Sequence, residues 1–265
     1  MKLSSIKAAI AGRNMFVWQL RPILAVEGGP DGMAQKATNA KCSGVWIKVA
    51  VGQREYDQNA PVLPDVLAAM KSADIRVWGW HEPRCPTLAA AETEAQVVAE
   101  IAEKHGLAGI LMDAEVAAGG TFFQGGPEEA GLYASSLQAL LHAQDRPLAL
   151  CSHDIPQNFP NFPFAAFAEF SDVNVPQVYY GGSPSVSHRL DRAIKANSGV
   201  ARPFVPVGAG WVGPAGGCMS DSACAERAVV FMQLVKEHGF IGYSFWHWAG
   251  APMKLWNVLM NQRLT

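Results

Sequence analysis

The chain has 265 residues, 49% of them hydrophobic and 17% charged, with a formal net charge of −2. That composition excludes a disordered chain, and the length matches one α/β barrel of roughly 250 residues, near the upper size for a single hydrophobic core. Lys and Arg are scattered, without the basic stripe that nucleic-acid binding requires, and no apolar run approaches the roughly 20 residues of a membrane span.

The N-terminal stretch MKLSSIKAAIAGRNMFVWQL interrupts its apolar residues with Ser4, Ser5, Lys7, Arg13 and Asn14, unlike the continuous core of a secretory signal. Synthesis in the cytoplasm is therefore expected, with release by lysis or carriage in a virion as the routes to any target outside. The five cysteines, Cys42, Cys85, Cys151, Cys218 and Cys224, are odd in number and contain no CxxC pair. This argues against a structural zinc site or a disulfide framework. Free thiols are expected, Cys218 and Cys224 being the one local bridge the spacing allows.

Short β-rich runs alternate with amphipathic stretches from end to end. The strands are expected at Met15–Leu20, Gly44–Val51, Ile75–His81, Ala108–Glu115, Pro147–Ser152, Val173–Tyr180, Pro203–Gly210 and Phe240–Trp248. Most are unbroken apolar runs, as strands buried on both faces require. Helices are expected at Asp31–Cys42, Leu63–Ser72, Thr93–His105, Pro127–Ala143, Ser185–Asn197, Asp221–His238 and Pro252–Asn261. The fifth crossover, Phe164–Phe170, is short and irregular. Eight strands with intervening helices predict a single (β/α)8 TIM-type barrel over residues 1–265. An open doubly wound sheet is the alternative, but Trp18-Gln19-Leu20-Arg21-Pro22 stands where its Gly-rich phosphate loop would follow the first strand. Lys104-His105-Gly106 and Glu237-His238-Gly239 each mark a helix end with a left-handed glycine cap.

Barrel enzymes gather their sites at the C-terminal ends of the strands. The fourth strand ends Leu111-Met112-Asp113-Ala114-Glu115, and residues two apart share a face. Asp113 and Glu115 therefore project together. Two carboxylates so close do not both ionise freely, so one is prepared as a proton donor while the other stays anionic. Glycoside hydrolysis needs that arrangement, with Glu115, nearer the mouth, as general acid and Asp113 as its partner. Loop capping or a surface ion pair is the plain alternative.

Seven of the eight tryptophans lie in or just beyond an expected strand. Trp46 and Trp78 are expected to pack between strand and helix. Trp246 and Trp248 are the preferred sugar platforms, above the small residues Gly242 and Ser244. Trp80, Gln177 and Tyr179 join them as candidate substrate-binding residues, with Gln19, Lys48, His81, Glu82 and Ser152. His81 and Glu82 point to opposite faces of a regular strand, so at most one of them lines the site. His153, Asp154 and His247 are further polar candidates. Two long loops, Val116–Glu128 and Ser152–Phe164, follow strands of this site and are candidates for a lid or a groove wall.

These residues resemble the family 25 glycoside hydrolases, the lysozyme-like muramidases. Lys48 in Val45-Trp46-Ile47-Lys48-Val49-Ala50-Val51-Gly52 is similar to the lysine of that family's second strand. Trp80-His81 resembles its third-strand aromatic-His pair, Asp113-Ala114-Glu115 its D-x-E, and Trp246-His247-Trp248 its terminal W-Q-Y. The first-strand Asp of the family is absent from Phe16-Val17-Trp18-Gln19, and Val51 replaces its second-strand Glu. Gln177-Val178-Tyr179 is instead similar to the polar-x-Tyr pattern of chitinase-like barrels, whose acetamido-assisted mechanism also uses a D-x-E. The resemblance implies cleavage of an N-acetylated glycan, peptidoglycan first, with no cofactor or metal. A glycan-binding barrel without turnover is the second reading. A metal-dependent hydrolase built from His81, Glu82, Asp113, Glu115, His153, Asp154 and His247 is the third, although no HxH or HExxH spacing occurs.

Overall fold

The computed structural model describes residues 3–116 and 122–262. In chain order the elements are α1 (Leu3–Ile10), β1 (Gly12–Val17), α2 (Leu20–Glu27), α3 (Pro30–Asn39), β2 (Gly44–Val51), β3 (Arg54–Glu55), α4 (Leu63–Ser72), β4 (Arg76–Glu82), α5 (Leu88–Lys104), β5 (Ile110–Asp113), α6 (Pro127–Ala143), β6 (Leu148–His153), α7 (Phe164–Glu169), β7 (Val173–Val178), α8 (Val186–Ala196), β8 (Val207–Ala209), α9 (Asp221–Glu237), β9 (Gly242–Trp246) and α10 (Met253–Asn261). The sheet runs β1-β9-β8-β7-β6-β5-β4-β2, and a parallel β1–β2 ladder closes it. The result is the expected eight-stranded (β/α)8 barrel. The two-residue β3 folds back antiparallel on β2 and lies outside the ring.

Alternation along each strand sorts its residues into two cores. Outward side chains such as Val45, Ile47, Val49, Ile110, Met112, Leu148 and Leu150 pack under the helices. Inward ones such as Phe16, Trp46, Trp78, Trp80, Leu111, Ala149 and Val175 fill the ring. Trp46 and Trp78 were expected between strand and helix; they stand inside the barrel instead. The ring has room for them because Ala149 and other small side chains face the same space. Trp46 meets Phe16 edge-on at 4.8 Å between ring centroids. α1 plugs the lower end: Ile6 and Ile10 join the inner cluster, and the Trp78 Nε1–H donates to the Ala9 carbonyl at 3.0 Å.

Helix starts and stops follow local chemistry. The hydroxyls of Thr87, Ser185 and Ser220 accept the amides of Ala90, His188 and Ala223 at the N-termini of α5, α8 and α9. Beyond α5 and α9, Gly106 (φ 60°) and Gly239 (φ 65°) take the left-handed conformation expected of them. Among the described residues, no helix is long and apolar enough to cross a membrane.

Several boundaries differ from expectation; β5, expected to run to Glu115, ends at Asp113. β1 starts at Gly12 and stops at Val17, because Leu20 and Ile23 form the buried stripe of α2. β9 stops at Trp246, and Trp248 opens a 3₁₀ turn, so the strand alternation does not extend to it. The fifth crossover, expected to be short and irregular, is a short but regular α-helix, α7. The expectation of free thiols is also overturned in part: Cys218 and Cys224 form a disulfide, with Cα atoms 5.2 Å apart, while Cys42, Cys85 and Cys151 are free and buried. The loop before Cys218 folds back through a Val212–Cys218 bridge, and Cys224 lies in the first turn of α9.

Candidate active site

The C-terminal ends of β5, β6 and β7 bring the carboxylate pair to its partners. Asp113 is the last residue of β5 and is 5% exposed; Glu115, two residues on, is partly buried. Cys151 of β6 is the register partner of Asp113. From β7, the Gln177 Nε2–H donates to Asp113 Oδ1 at 3.1 Å and lies 3.6 Å from the Cys151 sulfur. Tyr179 follows on the same face as Gln177 and packs on the inner cluster.

Electrostatics divide the two acids. Burial, then the neighbouring charge of Asp113, raises the Glu115 carboxyl to about 8. Burial also raises Asp113, to about 6, but the Lys48 cation and hydrogen bonds from Cys151 and Gln177 hold it below its neighbour. Burial thus raises both carboxyls of the pair, and the cation and donors on the Asp113 side favour charge there.

Lys48 and Glu82 form the second layer of charge. Lys48 Nζ lies 2.8 Å from Glu82 Oε2, and both side chains are buried. The ammonium also sits over the rings of Trp80 (4.7 Å) and Tyr56 (5.0 Å). Arg84 caps the other Glu82 oxygen at 2.6 Å. Trp80 is fixed by its Nε1–H on the Val17 carbonyl at 3.1 Å, and its ring meets Trp246 edge-on at 5.8 Å. Trp246 remains partly exposed, and the Trp246–His247 peptide is cis.

The structure thus brings together Asp113, Glu115, Gln177, Tyr179, Lys48, Glu82, Trp80 and Trp246. Gln19 takes the N-cap position of α2 at the rim. Three candidates are corrected. Trp248 is 2% exposed and turns into the helical layer, where its Nε1–H donates to Glu27 and its ring packs on Trp256 at 4.7 Å. His81 faces outward, as its parity opposite Glu82 requires, and pairs with the Tyr133 hydroxyl (2.6 Å) and the Gly52 carbonyl (3.0 Å). Ser152 alternates with Leu148 and Leu150 on the outer face of β6, so Cys151 is the residue that faces the acids. Sequence reading passed over Cys151 and Arg84. The β6 run carries no polar alternation that would fix its parity.

Of the further candidates, Asp154 is held by Arg189 and His153 stacks on Phe159 at 3.7 Å. Among the described residues, no group of three or more His, Cys, Asp and Glu is arranged to hold a metal ion. The two long loops meet: Phe123 packs edge-on against Phe162 and Phe167, and a cavity of about 520 Å³ opens between them. Gly119 and Gly120 lie outside the described residues.

No family model and no curated protein matches the chain by sequence. The fold is a TIM-type barrel shared with several solved structures. It resembles a GH18 chitinase from Cycas revoluta in complex with (GlcNAc)3, with a TM-score of 0.68 at 12% identity over 95% of this chain and 99% of that one. It also resembles the spore cortex-lytic enzyme SleL of Bacillus megaterium QM B1551, with a TM-score of 0.65 at 11% identity over 96% of this chain and 75% of that one. A class V chitinase from Pseudomonas fluorescens Pf-5 gives 0.65 at 13% identity over 94% and 98%. At these identities the likeness is one of fold.

Proposed function

We propose that the protein is a glycoside hydrolase acting on an N-acetylated glycan, with Glu115 as the general acid. The observation that carries this reading is the carboxylate pair itself: Asp113, buried at the end of β5 and held by Gln177, with the partly buried Glu115 two residues on. Glu115 protonates the glycosidic oxygen as the bond to the anomeric carbon breaks. Asp113 ends β5 and Glu115 follows two residues on, so Asp113 does not face Glu115 across a sugar as a second nucleophile would. It instead steadies positive charge at the anomeric carbon or on the substrate's acetamido group, and Gln177 and Tyr179 orient that group. Lys48 keeps Asp113 ionised, and Glu82 in turn balances Lys48.

Peptidoglycan is the leading substrate because the D-x-E and the second-strand lysine resemble those of the muramidases. Chitin-type oligomers are the alternative, since Gln177-Val178-Tyr179 is similar to the chitinase pattern and chitinases are among the structures of like fold. Turnover of purified peptidoglycan and of N-acetylglucosamine oligomers by wild-type and Glu115→Gln protein tests both. Glu115→Gln is expected to lose about 10²–10⁴-fold in kcat on the true substrate. Cleavage by Glu115→Gln at the wild-type rate would reject the proposal, and retention of glycan without any wild-type turnover would favour a binding barrel.

A further inference from the structure

With Trp248 turned away from the mouth, another tryptophan stands against Tyr179. Trp211 follows β8, and its ring meets the Tyr179 ring edge-on with centroids 4.9 Å apart. Tyr179 shares its strand face with Gln177, the residue bonded to Asp113. Trp211 is therefore one ring removed from the side chains that hold the carboxylate pair.

The backbone around this indole is shaped to admit it. A Cβ on Gly217 would lie 2.6 Å from Trp211 Nε1 and 2.7 Å from the Gly213 carbonyl oxygen. A Cβ on Gly250 would lie 2.9 Å from the Trp211 Cβ. Gly216, at φ +92°, brings its Cα so close to Tyr179 that a side chain would meet the Tyr179 Cβ at 2.7 Å. Larger residues at these positions would push the two rings out of place. The loop is then pinned. The Cys218 amide donates to the Trp211 carbonyl at 2.7 Å, the Gly213 amide donates to the Cys218 carbonyl at 3.1 Å, and the Cys218–Cys224 disulfide ties the loop to the first turn of α9.

For all this support Trp211 is not fully buried. Trp46 and Trp256 are 0% and 1% exposed, whereas Trp211 is partly open and its neighbour Val212 is 42% exposed. We propose that Trp211 is a stacking platform for a pyranose ring of an N-acetylated glycan, at the β8 side of the acids. The chemistry suits that ligand: the C–H face of a pyranose is flat and apolar and needs an aromatic face without charge. A loop held by a disulfide and close-packed glycines loses little freedom when sugar binds. The assignment deepens the hydrolase reading and rests on it for the identity of the ligand.

The test is calorimetric titration of Glu115→Gln protein with N-acetylglucosamine tetramer and with solubilised peptidoglycan fragments, alone and combined with Trp211→Phe, Trp211→Leu or Gly217→Ala. Leu keeps apolar bulk without a flat face, and Gly217→Ala keeps the indole while displacing it. Binding is expected to weaken about tenfold for Leu, less for Phe, and in the same direction for Gly217→Ala. In the active background KM should rise with them. Affinities for both Trp211→Leu and Gly217→Ala within about twofold of the parent overturn the platform. If the parent binds glycan and loses affinity as described while wild type cleaves nothing, the platform stands and the hydrolase reading falls. If wild type cleaves and the variants bind normally, the platform alone falls. If the parent binds no glycan at all, the platform falls with the proposed substrate.

Discussion

At the scale of single residues, the carboxylate pair sets a pH window. The active form needs Asp113 ionised and Glu115 protonated. Asp113 titrates at about 6 and Glu115 at about 8, so kcat/KM is expected to rise through the first value and fall through the second. Gln177→Leu removes a donor to the Asp113 carboxylate and is expected to move the acidic limb upward; a limb that stays put in the pH–rate profile would remove Gln177 from this role. The same shift has a stability sign. The folded protein holds the Glu115 proton more tightly than the unfolded chain does, so stability is full below the ordinary carboxylate value of 4.5 and lost as pH rises through about 8. Glu115→Gln is therefore expected to match wild type in denaturant midpoint at pH 4 and to exceed it at pH 9, as urea titrations at the two pH values would show. The Asp113-Ala114-Glu115 spacing was legible as a carboxylate pair, but not that β5 ends at Asp113 and leaves Glu115 in the segment beyond it. Lys48 and Glu82 come from different strands, so their contact depends on a register that neither segment encodes alone.

Among the elements, β4 shows how parity divides labour. Trp78, Trp80 and Glu82 face the ring, while His81 faces α5 and α6, where burial lowers it to about 3 and keeps it neutral. Behind it, Glu94 of α5 is 1% exposed and accepts the amides of Arg84 (2.9 Å) and Cys85 (2.8 Å) as well as the Cys85 thiol. This carboxylate fixes the turn that lays Arg84 on Glu82. Glu94→Ala leaves two buried amides without acceptors and is expected to cost about 2–4 kcal/mol, with Glu94→Gln milder because one acceptor oxygen remains. Equal urea midpoints for wild type and Glu94→Ala would refute this. The His81/Glu82 alternative was visible in the sequence, since opposite faces follow from adjacency, but which face looks inward was not. In β6, Leu148-Ala149-Leu150-Cys151-Ser152 is apolar on both faces until its end, and only the ladder to Asp113 shows that Cys151 rather than Ser152 meets the site.

For the whole molecule, eight apolar runs bounded by turn residues with helices between them made the strand number and the closed barrel legible. The register of each ladder was not, and the short α1, α2 and β3 carry too few periodic residues to stand out. The seam between first and last strands is held by a group that composition treats as surface. Arg13 is 0% exposed and has no carboxylate among its contacts; its Nε–H donates to the Tyr243 hydroxyl at 2.9 Å, and its other nitrogens reach the carbonyls of Ala40 and Leu259 and the sulfur of Met232. One guanidinium therefore joins β1 to β9, α9, α10 and the end of α3. A buried cation satisfied by carbonyl dipoles is costly to replace, because its acceptors cannot regain water when the donor is removed. Arg13→Met keeps the apolar stem and strands three oxygen acceptors, so a loss of about 3 kcal/mol is expected, or roughly 6–12 °C in melting temperature for a chain of this size. The carboxylate pair lies at the opposite end of the barrel from this seam, so glycan affinity of the folded fraction should not change. A melting temperature equal to wild type would mean that the ladders alone close the ring, and a fall in affinity without a fall in stability would mean that the seam shapes the mouth.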